Sequence, residues 1–397
     1  MVTLEDIREA RRRVDGVIRR TPVDRSDTLS RLFGRAVLLK PEHLQRTGSF
    51  KIRGAYNLIS RLEGGEVVAA SAGNHAQGVA LAAALHDLRA TIFMPVNAAL
   101  PKVEATRGYG AEVRLEGDAV DDSIEAARIY AEQHGATFVP PFDDPLIIAG
   151  QGTVGLELGE EAPEAETVVV PVGGGGLISG IAVALAHTLR HVRVVGVEAA
   201  GAAAVRASLD AGRVVGLDSI STMADGIAAK SPSELTFAHV RAYVDDVVTV
   251  TEEELSRAVL LLLERAKAVV EPAGAAGLAA IMAGKVGGRG PALAVLSGGN
   301  VDPLLLIKLI DHGLTAAGRY LVLRIALDDR PGALAALTAA VAKMGLNVLS
   351  VEHHRAGIDL AVDQVEVLLT LETRDPQHRG EVEAELRHAG FRVELVR

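Results

Sequence analysis

One lysine of this sequence stands where its amine could act as a nucleophile. Lys51 follows Phe50 at the start of a segment that reads as a helix, which Thr47 or Ser49 could cap. Positive charge is disfavoured at a helix N-terminus, so the pKa of an ammonium group there is lowered. A neutral amine is what Schiff-base formation with a carbonyl group requires. The segment predicts a carbonyl-binding amine at Lys51, with an ordinary surface lysine as the alternative.

A turn at residues 71–78 (SAGNHAQG) could bind a carboxylate, because it follows an apolar run and opens a helical pattern. Its small residues let a ligand approach the backbone, and the N–H groups at the start of the helix can bind an anion. Ser71, Asn74 and His75 add side-chain donors. The alternative is an ordinary turn in which Asn74 caps the helix.

A second turn contains four successive glycines at residues 173–176, between an apolar run and another helical pattern. Such a run costs backbone entropy, so a phosphate cradle explains it better than a plain turn does. No Gly-Lys-Ser/Thr follows, which excludes the phosphate loop of nucleotide hydrolases. The spacing also departs from the dinucleotide fingerprint, so a nicotinamide dehydrogenase is not favoured.

Ser297 adds a hydroxyl group directly after the apolar run at residues 293–296. Open α/β sheets bind ligands at the carboxyl ends of their strands, which is where this serine is expected. One amine, one carboxylate site, one phosphate cradle and one hydroxyl together describe a site for pyridoxal 5'-phosphate (PLP).

Short Val-, Ile- and Leu-rich runs alternate with helical patterns through most of the chain, and this alternation positions the candidate residues. Continuous apolar runs between helices predict parallel sheets that are covered on both faces. The predicted fold class is therefore α/β. The predicted strands cover about residues 67–70, 91–96, 113–115, 167–172, 192–197 and 293–296, and the predicted helices include 75–86, 100–107 and 120–134.

The pattern changes near Gly318, beyond which the order β-α-β-β-α-β predicts a ferredoxin-like module. Its strands are expected at 320–327, 347–354, 364–371 and 391–396, and its helices at 333–344 and 376–389. A small module after a larger α/β body suggests a regulatory appendage. We expect a catalytic region at 1–315, with a smaller subdomain at about 41–143, and a regulatory domain at 319–397.

The composition favours a soluble, cytoplasmic protein without a nucleic-acid partner. Asp and Glu number 51 against 41 Lys and Arg, a net charge of −10, and an acidic surface repels nucleic-acid phosphates. No apolar run reaches the length of about 20 residues that spans a bilayer, and residues 1–13 do not resemble a signal peptide. Cysteine is absent, which excludes thiolate metal sites and cysteine nucleophiles.

Four segments together resemble the motifs of the threonine dehydratase (threonine ammonia-lyase) family, which belongs to the tryptophan-synthase-β-like, fold type II PLP enzymes. They occur in the family's order between about residues 20 and 315, and they read SFKIRG at 49–54, SAGNHAQG at 71–78, GGGGL at 173–177 and SGGN at 297–300. Residues 329–334 (DRPGAL) in the C-terminal module resemble an ACT domain, a unit that senses amino acids.

The resemblance implies roles for the residues of the first two motifs. Lys51 would bind the cofactor covalently and remove the Cα proton of the substrate. Phe50 would pack beside the cofactor ring, and Asn74 would hydrogen-bond the cofactor 3-oxygen. Ser71, Asn74 and His75 would surround the substrate carboxylate.

The resemblance also implies that Ser297 meets the pyridine nitrogen and that Gly226 lies near the ring. A hydroxyl group cannot hold that nitrogen protonated as a carboxylate would, so prompt loss of the β-hydroxyl group is favoured over transamination. The residues implied to bind the phosphate are Gly173, Gly174, Gly175, Gly176 and Leu177.

The implied reaction is the dehydration and deamination of L-threonine to 2-oxobutanoate and ammonia, with L-serine as a second substrate. A serine-preferring dehydratase or another β-eliminating or β-replacing relative is the alternative, since one methyl group in a pocket is worth only about 1–3 kcal/mol. Ala72 occupies the position where serine racemase has a second base, so racemisation is not expected. A PLP-binding or amino-acid-sensing protein without catalysis is the alternative of another class.

Further ligands and partners are implied in the same way. Relatives bind a divalent ion through a glutamate and, six residues on, an aspartate, whereas Glu198 is followed here by Ala204. No divalent metal is therefore expected, and a monovalent cation is the alternative.

Isoleucine or valine is the expected effector of the ACT-like module. It is expected to bind near Gly332, Ala333 and Asn347, and the alternative is that these residues serve only the local turn and strand. A homodimer or homotetramer is expected.

Overall fold

The computed structural model describes residues 1–355 and 363–396, and the chain divides into two compact units, Met1–Leu306 and Ile307–Arg397. The strands of the first unit are β1 (Asp24–Arg25), β2 (Val37–Lys40), β3 (Glu66–Ala70), β4 (Arg89–Met94), β5 (Glu112–Leu115), β6 (Thr137–Phe138), β7 (Thr167–Pro171), β8 (Arg193–Ala199), β9 (Asp246–Val250) and β10 (Ala292–Val295).

Helices separate these strands along most of the first unit. They are α1 (Leu4–Val14), α2 (Asp27–Phe33), α3 (Lys51–Ile59), α4 (Asn74–Ala84), α5 (Leu100–Gly108), α6 (Val120–His134), α7 (Pro145–Glu161), α8 (Gly176–Thr188), α9 (Ala204–Ala211), α10 (Glu234–Tyr243), α11 (Glu252–Leu261) and α12 (Pro272–Met282), followed by α13 (Pro303–Ala316) across the boundary. Among residues 1–355 and 363–396, no helix is both long enough and apolar enough to span a bilayer.

Two sheets organise the first unit. The larger sheet has the order β1-β2-β10-β7-β8-β9, in which β1 is antiparallel to β2 and the other neighbours are parallel. The smaller sheet has the parallel order β5-β4-β3-β6. Strands β2, β7 and β10 are buried along their whole length, as in parallel sheets that are covered on both faces. The predicted α/β class is confirmed.

The second unit is a βαββαβ module with an antiparallel sheet of the order β12-β13-β11-β14. Its elements are β11 (Tyr320–Asp328), α14 (Ala333–Lys343), β12 (Val348–His354), β13 (Gln364–Glu372), α15 (Pro376–His388) and β14 (Arg392–Leu395). Every second residue of β11 and β13 is buried, so one sheet face packs against the helices through residues such as Leu323, Leu337 and Leu386. The predicted ferredoxin-like order is confirmed.

The expected capping of α3 is wrong. Phe50 is the N-cap residue, and its side chain makes no capping hydrogen bond. Thr47 Oγ1 and Ser49 Oγ are buried and have no hydrogen-bond partner among the described residues. The physical reason is a long-range pairing: the Phe50 N–H donates to the Ser297 carbonyl, and Ser49 forms an isolated bridge with Gly298. This pairing, rather than a local cap, sets the start of the helix.

Candidate active site

A cavity of about 540 Å³ lies where β3, β7 and β10 end, the edge at which open α/β sheets bind ligands. It receives residues from loops of both sheets of the first unit. The structure brings together all the catalytic, cofactor-binding and substrate-binding candidates predicted from the sequence for this region. These cavity-lining residues are Phe50, Lys51, Ser71, Asn74, His75, Gly173, Gly174, Gly175, Gly176, Leu177, Gly226 and Ser297.

Lys51 is the first residue of α3, and its amine lies inside the cavity. The Nζ atom donates a hydrogen bond to the Pro141 carbonyl at 2.9 Å and lies 5.3 Å from the centre of the Phe50 ring. Desolvation lowers the pKa of the amine to about 8, against the opposing charge of Glu271. The lowered pKa agrees with the sequence-based expectation, but its main cause is burial rather than the helix terminus.

The four successive glycines form the turn between β7 and α8. Gly175 caps α8 with a φ of +90°, a conformation that side chains disfavour. A Cβ atom on Gly174 would lie 2.2 Å from ring carbons of Phe142. Side chains are therefore excluded here, and the N–H groups of the first turn of α8 are left without partners within the helix, as an anion site requires. This cradle, the lysine amine and the Ser297 hydroxyl fit PLP.

A second helix terminus enters the cavity after β3. Gly73 is the N-cap residue of α4 and its N–H donates to Ser71 Oγ at 3.1 Å, so the alternative in which Asn74 caps the helix is wrong. His75 Nε2 donates to the Val139 carbonyl at 2.9 Å. Burial lowers the pKa of His75 to about 3, so its ring is neutral. A carboxylate at this terminus would meet backbone N–H groups rather than a histidine cation.

Sequence reasoning missed the buried acidic residue of the cavity, Glu271. It is the N-cap residue of α12 and is 4% exposed. Asn74 Nδ2 donates to Glu271 Oε1 at 2.5 Å. Burial, followed by the nearby Asp225 charge, raises the pKa of Glu271 to about 7. The available signal was a single acid in an otherwise apolar stretch, VVEPAGAAG at 269–277.

Two ion pairs lie at the mouth of the cavity. Lys102 pairs with Asp225, and Lys230 pairs with Asp121. Lys102 and Asp121 belong to α5 and α6, which flank the smaller sheet, whereas Asp225 and Lys230 lie between β8 and β9 of the larger sheet. All four residues line the cavity, so the two pairs join its two sides.

A buried ionic cluster, which consists of Lys40, Glu42, Arg53 and Glu157, lies behind the first turn of α3. Arg53 binds Glu42 through Nε and Nη2 at 2.8 Å each, and Glu157 through Nη1 and Nη2 at 2.7 and 3.0 Å. Its remaining donor binds Thr153 Oγ1 at 3.0 Å, so all five N–H groups are used. Lys40 Nζ donates to Glu157 at 2.6 Å. The cluster therefore fixes α3 against β2 and α7.

Glu198, at the end of β8, has backbone partners. Its carboxylate accepts from the N–H groups of Val205 and Arg206 at 2.8 Å each, at the start of α9. Burial raises its pKa to about 7. Within residues 1–355 and 363–396, His, Asp and Glu side chains form no group of three or more that could hold a metal ion.

The three candidates for effector binding lie at the two ends of α14 in the second unit. Gly332 caps its start with a φ of +91°, and Ala333 is its first residue. Asn347 follows its end, and Asn347 Nδ2 donates to Glu372 at 3.0 Å. An 11-residue helix is about 16 Å long, so the two ends are well separated. Effector binding at these residues stays a prediction.

Each of the two units matches a known protein family. The family model described as pyridoxal-phosphate dependent enzyme matches residues 14–298. The chain belongs to this family. A second family model, the ACT domain, matches residues 321–388 of this PLP-dependent enzyme. The resemblance that the four motifs indicated is confirmed, and PLP is the cofactor.

Relatives of this PLP-dependent enzyme include two curated proteins that match over almost their whole length. It is 49% identical to the L-threonine ammonia-lyase of Thermotoga maritima over 100% of both chains. It is 46% identical to the L-threonine ammonia-lyase of Geobacter sulfurreducens over 98% of both. The crystal structure of a threonine deaminase from T.th. has a TM-score of 0.73 and 44% identity, covering 76% of this chain and 99% of that one.

Proposed function

We propose that this enzyme is a threonine ammonia-lyase that converts L-threonine to 2-oxobutanoate and ammonia and also acts on L-serine. The observation that carries the proposal is one cavity that combines a low-pKa lysine amine, a four-glycine cradle and a second helix terminus. Identities of 49% and 46% to two L-threonine ammonia-lyases support the choice of substrate.

PLP, when bound, supplies the electron sink that draws charge away from the substrate Cα. The backbone of residues 173–177 would hold its phosphate, and Lys51 would hold it covalently. Once free, the Lys51 amine is neutral above about pH 8 and can take the Cα proton. The start of α4 and Ser71 would orient the substrate carboxylate, and so the Cα–H bond, toward that amine.

Two cavity residues support elimination as the outcome. Ser297 lines the cavity with a hydroxyl group, which cannot hold a pyridine nitrogen protonated as a carboxylate would. Ala72 also lines the cavity and cannot transfer a proton, so a second base for racemisation is missing at this position. Loss of the β-hydroxyl group is therefore favoured over transamination and racemisation.

The ACT match supports a regulatory role for the C-terminal part. In the proposed division, residues 1–315 form the catalytic region, with a smaller subdomain at about 41–143, and residues 319–397 form the regulatory domain. Isoleucine or valine is the proposed effector, near Gly332, Ala333 and Asn347. The proposed enzyme is a cytoplasmic homodimer or homotetramer, and a monovalent cation is its proposed additional ligand.

The test is to incubate the purified, PLP-loaded protein separately with L-threonine and L-serine and to quantify the 2-oxo acids released. We expect 2-oxobutanoate from threonine, slower pyruvate release from serine, and no activity in Lys51→Ala. A PLP-loaded protein that releases neither acid would refute the proposal. A much faster reaction with serine would replace threonine by serine as the preferred substrate.

A further inference from the structure

Asn74 is held on both sides of its amide group by two other side chains, those of Asn300 and Glu271. Asn300 Nδ2 donates to the Thr47 carbonyl at 2.7 Å and to Asn74 Oδ1 at 2.7 Å. Asn74 Nδ2 in turn donates to Glu271 Oε1 at 2.5 Å. Asn74, Asn300 and Glu271 all line the cavity, so this hydrogen-bonded chain forms part of its wall.

The direction of the chain is fixed by its first acceptor. A backbone carbonyl can only accept, so Asn300 must turn its NH2 group toward Thr47. The other hydrogen of that NH2 group goes to Asn74, which must therefore turn its oxygen toward Asn300. The NH2 group of Asn74 is left facing Glu271, whose ionised carboxylate only accepts. One N–H of Asn74 then remains for a ligand in the cavity.

Glycines make room for the chain on both sides. Gly48 has a φ of +71°, and a Cβ atom there would lie 2.3 Å from Asn300 Oδ1. A Cβ atom on Gly298 would lie 2.3 Å from Glu271 Oε1 and 2.9 Å from Asn74 Nδ2. These distances are far below van der Waals contact. Any side chain at position 48 or 298 would therefore displace Asn300, Glu271 or Asn74 from the positions that they occupy.

We propose that Asn300 and Glu271 are positioning residues that hold Asn74 with its NH2 group directed to the cavity, where it donates to an oxygen of the bound cofactor. The proposal rests on the proposed function and on the role that the resemblance implies for Asn74, a hydrogen bond to the cofactor 3-oxygen. If the amide turned over, its own oxygen would face that oxygen, and an attraction would become a repulsion.

Two substitutions at one position separate orientation from packing. In Asn300→Asp the side chain keeps its shape but loses its donors, so Asn74 is driven to turn its NH2 group toward position 300. Asn300→Ala leaves a gap but imposes no direction. We expect Asn300→Asp to weaken PLP binding by about 10- to 100-fold, the range for one hydrogen bond to a charged group, and to shift the visible absorption band of the bound cofactor. The effect of Asn300→Ala should be smaller.

A packing role predicts the opposite order, because the isosteric aspartate would then be milder than alanine. Glu271 gives an independent pair of variants. Both variants remove the Glu271 charge, but Glu271→Gln keeps an acceptor for Asn74, whereas Glu271→Met removes it. The cofactor band should therefore shift more in Glu271→Met than in Glu271→Gln. Asn57→Asp is the matched control, since Asn57 is also buried and its Nδ2 donates to Leu146 at 2.7 Å. Its cofactor band should stay that of the wild type.

The readouts are PLP titration of the cofactor-free protein and the spectrum of the loaded protein, neither of which needs turnover. Failure of the protein to release 2-oxo acid would therefore refute the proposed function and leave this comparison intact. Wild-type affinity and spectrum in Asn300→Asp, or a larger effect in Asn300→Ala, would overturn the positioning role.

Discussion

At the scale of single residues, the surroundings of Lys51 and Glu271 decide their chemistry. Desolvation lowers the pKa of the Lys51 amine to about 8 and raises that of Glu271 to about 7, so both groups change charge near neutral pH. Each also acts on the other, since the Glu271 charge raises the pKa of Lys51. The cavity thus contains an amine that is a base under mild conditions, next to an acid of similar strength.

The rate at which PLP attaches covalently to the cofactor-free protein should follow the neutral form of Lys51. We expect the rate to rise with pH through a midpoint near 8, instead of about 10.4 as for an ordinary lysine. Glu271→Gln should move the midpoint to lower pH, because it removes the negative charge that favours the ammonium form. Stopped-flow absorbance between pH 6 and about 11 measures the midpoint for the wild type and for Glu271→Gln. A wild-type midpoint near 10 would contradict the burial of the amine.

At the scale of elements, the turn before α8 is shaped for a ligand rather than for stability. Gly174→Ala would place a methyl group 2.2 Å from ring carbons of Phe142, so the ring or the turn must move. Overpacking of this kind costs about 1–3 kcal/mol, and we expect PLP affinity to fall by about 10- to 100-fold in an equilibrium titration.

The matched control for that substitution is Gly108→Ala at the end of α5. A Cβ atom there would meet nothing within 4 Å, so PLP affinity should stay within about twofold of the wild type. Equal affinities for Gly174→Ala and the wild type would show that the turn does not bind the phosphate.

The buried ionic cluster fixes the helix that carries Lys51. Arg53→Met would leave Glu42 and Glu157 buried without their main cation, and we expect a loss of about 3–5 kcal/mol in the free energy of unfolding. Arg206→Met is the control, because Arg206 is 37% exposed and pairs with the exposed Asp210. This substitution should lower the free energy of unfolding by less than about 1 kcal/mol. Urea unfolding of both cofactor-free variants at pH 7 compares them; similar losses would contradict the role of the cluster.

Local patterns predicted most elements, and long-range contacts explain what they did not predict. Helix α6 and strands β3 and β7 follow from apolar periodicity and turn residues, which act within a few positions along the chain. The start of α3 depends instead on pairing of Phe50 with Ser297. Glu271 contacts Asn74, a residue 197 positions away, so its place in the cavity could not be read from its neighbours.

At the scale of the whole molecule, the second unit has its own core and its own family match, and the residues that line the cavity belong to the first unit. We expect isoleucine or valine to lower 2-oxobutanoate release, and a chain that ends at residue 315 to stay active but lose this response. L-lysine is the control effector and should have no effect. Inhibition of equal strength in the shortened chain would place effector binding in the first unit instead.

The two ion pairs at the mouth of the cavity have opposite directions. One side contributes Lys102 and Asp121, and the other contributes Asp225 and Lys230. Two opposed dipoles largely cancel, so their combined field fades within a short distance and is screened further by salt. A zwitterionic amino acid is then neither drawn in nor turned away from afar, and an anionic product is not retained by an excess of positive charge. The rates of entry and departure should therefore change little with ionic strength.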